Sequence, residues 1–261
     1  MEQSIIQCFV VTFFMGKFTA QGINLGEKVV DHEFPHLVAI FKDPGFEAKH
    51  VCSGNILNEY WILTAAHCTA DFSEGLFVKA GQLGLDNTKS SYVASVETIF
   101  LYADQNSKKN HDIALIKLKE PLGFNSQVQP IEISGEHLIV GENVTISGWG
   151  GVDPVGNGAS QELYKTTMTI IDDDSCMDLL AVVYQNPSLH PNDFCTKGLD
   201  GVTTCKKDGG NPVMRMRKNK TFELVGLASW WSDPCGVEGA PSVNVKVKPY
   251  LDWITSTLAN N

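Results

Sequence analysis

The sequence predicts an all-β protein, an antiparallel sandwich or barrel followed by one C-terminal helix. Three observations carry this prediction. Short apolar runs rich in β-branched residues recur along the chain, turn-forming Gly, Asn, Asp and Pro separate them, and only the last segment repeats apolar residues at helical spacing. The runs are Leu37–Phe41, Ile56–Thr64, Leu76–Ala80, Ile113–Leu118, Val144–Ser147, Lys165–Ile171, Glu223–Ser229 and Ser242–Val247. Near the end, Pro249 suits the first turn of a helix, and Leu251, Ile254 and Leu258 then share one face. Asp172, Asp173 and Asp174, ahead of Ser175, read as a solvated helix start that complements the dipole, not as a metal cluster.

Composition bounds the function. The 261 residues carry 20 Lys+Arg against 30 Asp+Glu, a formal net charge of -10, with 43% hydrophobic and 19% charged residues. Such a chain buries a core and is not disordered. β-barrel domains run to about 250 residues as one unit, and no repeat or linker divides the body. The acidic balance excludes nucleic acid and anionic membrane as main partners, because phosphates attract Lys and Arg. Arg215 and Arg217 are the only arginines, so bidentate phosphate recognition is poorly supplied.

Residues 1–22 are expected to be a secretory signal. Ile5, Ile6, Phe9, Val10, Val11, Phe13 and Phe14 make an apolar stretch too short for a bilayer, which takes about 20 such residues. Ala20 and Gly22 supply small residues before a cut at Ile23, leaving residues 23–261 as the folded domain. Cys8 departs with the signal. Cys52, Cys68, Cys176, Cys195, Cys205 and Cys235 remain, an even set that implies disulfides in an oxidising compartment. None of them has the close spacing of a zinc knuckle, and the sequence leaves their connectivity open. Asn143-Val144-Thr145 and Asn219-Lys220-Thr221 are glycosylation sequons, and Asn219 falls in a polar run expected at a hairpin tip.

Chemistry enters with Leu63-Thr64-Ala65-Ala66-His67-Cys68 and Asp112-Ile113-Ala114-Leu115. An aspartate that accepts one ring N–H of a histidine fixes its tautomer and leaves the other nitrogen free to take a proton. Further landmarks follow in order: Ser147-Gly148-Trp149-Gly150, Ser229-Trp230, Pro241, and Tyr250 to Trp253-Ile254. Ile23-Asn24-Leu25-Gly26 and Phe34-Pro35 precede them. From Ile23 to the C-terminal helix, the chain resembles the chymotrypsin-like serine proteases of the trypsin family. The resemblance implies two antiparallel six-stranded β-barrels with a cleft between them, a C-terminal α-helix, and the pairs Cys52–Cys68, Cys176–Cys195 and Cys205–Cys235. It also implies that Ser229 hydrogen-bonds Asp112, and that Asp208 pairs with the ammonium of a mature N-terminal Ile23.

The departures are as informative. The family pattern Cys-X-Gly-Asp-Ser-Gly-Gly-Pro stands here as Cys205-Lys206-Lys207-Asp208-Gly209-Gly210-Asn211-Pro212. This register puts Gly209 at the nucleophile, and a glycine offers no Oγ to attack a carbonyl. Lys207 replaces a glycine whose N–H joins that of residue 209 in the oxyanion hole, and its side chain is expected to oppose the donor orientation. At the specificity pocket, Thr203 lies at the base beside Ser229, Trp231 takes a glycine position, and Ser242 takes another. The indole of Trp231 is expected to fill or roof the pocket.

The sequence therefore reads as a secreted, non-catalytic serine protease homologue in which His67 and Asp112 are vestigial. It is expected to be a monomer that works as a binding, decoy or regulatory protein in a protease cascade, in immunity or in venom. Its expected partner is a protein (a protease, a protease substrate or an inhibitor), with no cofactor and no metal. The alternatives are a weakly active serine-type endopeptidase using His67 and Asp112, and a small-ligand or peptide binder using the cleft around Trp231.

Overall fold

The computed structural model describes residues 23, 26–30, 32–43, 48–69, 75–85, 92–102, 111–151, 158–199, 202–232, 235–237 and 239–261. The proposed signal, 1–22, lies outside them. After β1 (Glu27–Lys28), six strands form the first barrel: β2 (Leu37–Lys42), β3 (Lys49–Ile56), β4 (Trp61–Thr64), β5 (Leu76–Ala80), β6 (Tyr92–Leu101) and β7 (Ala114–Leu118). They close in the order β2-β3-β4-β7-β6-β5. Next come β8 (Glu132–Ile133), β9 (Asn143–Gly148), β10 (Tyr164–Ile171), helix α1 (Asp173–Val183), β11 (Asp193–Lys197), β12 (Pro212–Met216), β13 (Phe222–Trp230) and β14 (Ser242–Lys246). The second barrel runs β10-β11-β14-β13-β12-β9, and β9 returns to β10. A 3₁₀ turn at Lys248–Tyr250 leads into α2 (Leu251–Asn260). The expected pair of antiparallel six-stranded barrels with a C-terminal helix is what the chain forms.

Period-two alternation explains the two-barrel packing. Val38, Ile40, Ile62, Ile116 and Leu118 point into the first barrel. Their neighbours Leu37, Ala39, Phe41, Trp61, Leu63 and Leu115 pack in a separate cluster with Met214, Leu227 and Val245 of the second barrel and Ile254 of α2. That seam holds the barrels together, which is why β2, β4 and β7 read as continuous apolar runs. The second barrel is filled by Val144, Ile146, Met168, Ile170, Phe194, Val213 and Val225, with Ile23 fully buried among them.

Several sequence expectations need adjusting. The run Ile56–Thr64 is not one strand. Asn58 Oδ1 accepts from the backbone N–H groups of Tyr60 and Trp61, turning the chain between β3 and β4. A second helix exists: Asp172 caps α1 by accepting from Ser175 N at 2.8 Å, as its acidic start foretold, and the helix continues to Val183. Pro249 lies in the 3₁₀ turn, one step before α2 begins. Disulfides join Cys52–Cys68, Cys176–Cys195 and Cys205–Cys235, with Cα–Cα separations of 5.8, 5.9 and 5.4 Å, ordinary values for such bridges. Among the described residues, no helix is long and apolar enough to cross a membrane.

Candidate active-site cleft

β4 and β7 pair with Thr64 opposite Ala114, so the residues just beyond Thr64 and just before Ala114 emerge side by side. The first is the 3₁₀ turn Ala66–Cys68 and the second is Asp112. Asp112 Oδ1 accepts the His67 backbone N–H at 2.8 Å, and Oδ2 lies 2.8 Å from His67 Nδ1. From the other barrel, Ser229 Oγ on β13 donates to Asp112 Oδ2. Burial opposes the charge on Asp112, but hydrogen bonds from His67 and Ser229 outweigh it and hold the carboxyl below its ordinary range. The His67 side chain is 43% exposed, so the pair opens onto solvent.

Beyond the imidazole lies the Cys52–Cys68 disulfide. His67 Nε2 lies 3.6 Å from Cys68 Sγ and 3.9 Å from Cys52 Sγ. The three atoms are close enough to suggest a metal centre, but the sulfurs are bonded to each other and offer no thiolates. Gly209 sits against the ring: a Cβ built there would come within 2.3 Å of Nε2. The Gly209 segment is clamped between the barrels by Ser53 N–H donating to Gly209 O at 2.9 Å and Gly210 N–H donating to Ala228 O at 2.9 Å.

Lys207 occupies the third position of a turn closed by Asp208 N–H donating to Cys205 O at 3.0 Å. Its φ of 72° is the left-handed value that a type II turn requires there. The lysine side chain is thus accommodated, at a strain of roughly 1–2 kcal/mol, instead of forcing the turn into another shape.

Asp208 has no exposed surface. Its carboxylate accepts Cys205 N–H at 2.8 Å, the side-chain amide of Asn211 at 2.6 Å, and the backbone of Gly150. A Cβ on Gly150 would fall 2.0 Å from Asp208 Oδ2, so only glycine allows that approach. Burial pushes the Asp208 pKa up to about 7 despite these donors. Ile23, its expected partner, is buried in the second-barrel core with φ 35°. Asn211 was missed in the sequence, although it stands where the family pattern carries glycine.

The pocket positions are packed. Thr203 and Ser242 have no exposed surface. Thr203 Oγ1 accepts Gly236 N–H at 3.0 Å, and Ser242 Oγ accepts Thr204 N–H at 2.8 Å. Cys205–Cys235 ties this wall together. Trp231 is half-buried, and its carbonyl accepts from Tyr184 Oη at 3.0 Å, which anchors its backbone to the segment after α1. The sequons lie elsewhere on the surface. Asn143 is exposed at the start of β9, and Asn219 is exposed in the β12–β13 turn, where its Oδ1 accepts from Thr221 N and Oγ1.

A sequence model described as Trypsin matches residues 23–254. A snake venom serine protease of Deinagkistrodon acutus, Dav-KN, is 30% identical over 240 residues, covering 90% of this chain and 87% of that protein. Ovochymase of Halocynthia roretzi is 31% identical over 217 residues, covering 80% of this chain and only 13% of its own length. Among solved structures, neuropsin, a serine protease expressed in the limbic system of mouse brain, superposes with a TM-score of 0.75 at 26% identity. That alignment covers 90% of this chain and 99% of the neuropsin chain.

Proposed function

The chain belongs to the trypsin family, and from that premise we propose that it is a secreted homologue that binds protein partners without hydrolysing them. One observation carries this reading. Residue 209, which follows the Asp of the family pattern and sits against His67 Nε2, is glycine. No Oγ is present to attack a carbonyl or to give its proton to the imidazole. Ser242, buried where the family pattern carries a pocket glycine, supports it, since its side chain takes space that a substrate would need. In this reading the Ser229–Asp112–His67 network persists as structure, because removing a member would strand buried polar groups at about 1–3 kcal/mol each.

What remains is a cleft between two rigid barrels that suits a protease, a protease substrate or an inhibitor as partner. Homologues are mostly secreted, the three disulfides fit that setting, and residues 1–22 serve as the signal. The test is an active-site fluorophosphonate probe together with chromogenic peptides, applied to the purified secreted protein. No labelling and no turnover are expected. Turnover abolished by His67→Ala would establish the alternative, a weak serine-type endopeptidase, for which the intact His67–Asp112 geometry is the favouring observation.

A further inference from the structure

Three segments converge beside the cleft. Ser53 N–H of β3 donates to Gly209 O, bringing the middle of β3 alongside the turn that carries Lys206 and Lys207, and the strand's first residues, Lys49 and His50, lie close enough for the Lys207 charge to act on both. Gly151 N–H donates to Lys206 O at 2.8 Å, and the Trp149 ring lies 5.9 Å from that of His50. Lys49, the residue before His50, thereby shares this corner with Lys206 and Lys207. Lys49 and Lys206 are exposed and Lys207 is half-buried. Among the described residues, none of the three forms an ion pair, while Lys28, Lys117, Lys165, Arg215 and Arg217 all do.

We propose that Lys49, Lys206 and Lys207 form a docking site for an acidic protein segment laid along the cleft next to His67. This rests on the binding-protein reading above and adds the chemistry of the partner. Partial burial, and then repulsion from Lys49, hold the Lys207 ammonium below its ordinary range. Like charges gathered with no ion-pair partner among the described residues are unfavourable until a ligand supplies one. Lys207 additionally holds a left-handed backbone that glycine would adopt without strain. The rest of the molecule narrows the ligand class. With a net charge of -10, the surface beyond this corner repels a long polyanion or an anionic bilayer, whereas a short Asp/Glu segment engages the lysines alone.

The experiment titrates the full secreted protein with two fluorescent extended peptides, one alternating Ala and Glu and the other alternating Ala and Gln. The Glu peptide is expected to bind at least about tenfold tighter at low salt, with the difference shrinking as salt rises. Lys207→Gly suits the turn and should fold normally, and each lysine removed should weaken Glu-peptide binding about two- to fivefold. Lys206→Glu, an exposed charge reversal, should weaken it further while leaving the thermal unfolding midpoint in place. Equal affinity for the two peptides, or Glu-peptide binding unchanged in the triple variant Lys49→Ala/Lys206→Ala/Lys207→Gly, overturns the proposal. So does lysine-dependent capture of heparin or of phosphatidylserine vesicles in place of the peptide. A partner from native fluid that still binds the triple variant would overturn this site yet leave the binding-protein reading intact. Labelling by the fluorophosphonate would strike the latter alone.

Discussion

The imidazole of His67 occupies the space into which a side chain at Gly209 would grow, its Nε2 lying 2.3 Å from the position of a Cβ there. Gly209→Ser therefore does more than supply a hydroxyl. The ring must first swing away from residue 209, which its partly exposed position permits. Little peptide hydrolysis should return, because Ser242 and Trp231 still stand where the family pattern carries pocket glycines. Chromogenic assays of the single variant check this, and rescue to the level of an intact protease would show that the pocket is open.

Asp208 and Asn211 make a second local dependence. The amide at 2.6 Å supplies one of the few donors to a fully buried carboxyl. Asn211→Ala should cost about 1–3 kcal/mol in urea unfolding. With Ile23 still joined to residue 22, the raised pKa of Asp208 means that its stability contribution is complete in acid and is lost as pH rises through about 7. Removing a donor to the anion pushes the pKa higher still, so the deficit should be larger at pH 8 than at pH 5. A deficit independent of pH would mean that Asn211 acts by packing alone.

The sequence revealed the polar core of the cleft better than its walls. His67, Asp112 and Ser229 were legible because each sits in a motif that resembles the trypsin family, and the structure brings all three together. β6 was not legible: of its ten residues only Ala94 is buried, and a register shift between Val96 and Thr98 breaks the alternation. The part of β3 before Ile56 was hidden for the opposite reason. Its Ser53 and Asn55 are polar yet wholly buried, and the Asn55 side chain satisfies Gly210 O of another segment. Helix α1 buries only Cys176 and Leu180, too thin a stripe to fix its length from periodicity.

Arg215 and Arg217, weighed in the sequence only against phosphate binding, turn out to serve stability. Arg215 clasps Glu142 through Nε at 2.6 Å and Nη2 at 2.7 Å, and its Nη1 reaches Glu223 at 3.3 Å. Glu223, nearly buried, also accepts from Ser134 at 2.8 Å and from Arg217 Nε at 2.8 Å. Arg217 in turn pairs with Glu132 on β8. Arg215→Ala leaves the part-buried Glu142 without its two-point donor while Glu223 keeps Ser134 and Arg217, and should destabilise by about 1–3 kcal/mol. Chemical denaturation should show this, with Lys28→Ala as a control: its exposed pair with Glu162 should matter little.

Acid should unfold the protein through two histidines. His36 and His50 are buried, and desolvation lowers both pKa values to about 3, reinforced at His50 by the charge of Lys207. Depressed folded-state values mean that the unfolded chain binds these protons first. Stability is therefore fully present above about 6.5 and is lost as pH falls towards 3. Two such groups give a slope of about 2.7 kcal/mol per pH unit, at roughly 1.36 kcal/mol per unit each. In the uncut chain, where no Ile23 ammonium pairs with it, Asp208 works in the other direction between its folded value of about 7 and its ordinary value of 3.8, offsetting about one group. The net slope in that window should be about 1.4 kcal/mol per unit, and steeper once Asp208 is protonated in both states. His50→Phe, placing another aromatic ring between Phe41 and Trp149, should flatten the acid limb while changing stability little at pH 8. Unfolding midpoints measured from pH 4 to pH 8 in both proteins decide the matter. Parallel curves would show that His50 takes up its proton without unfolding.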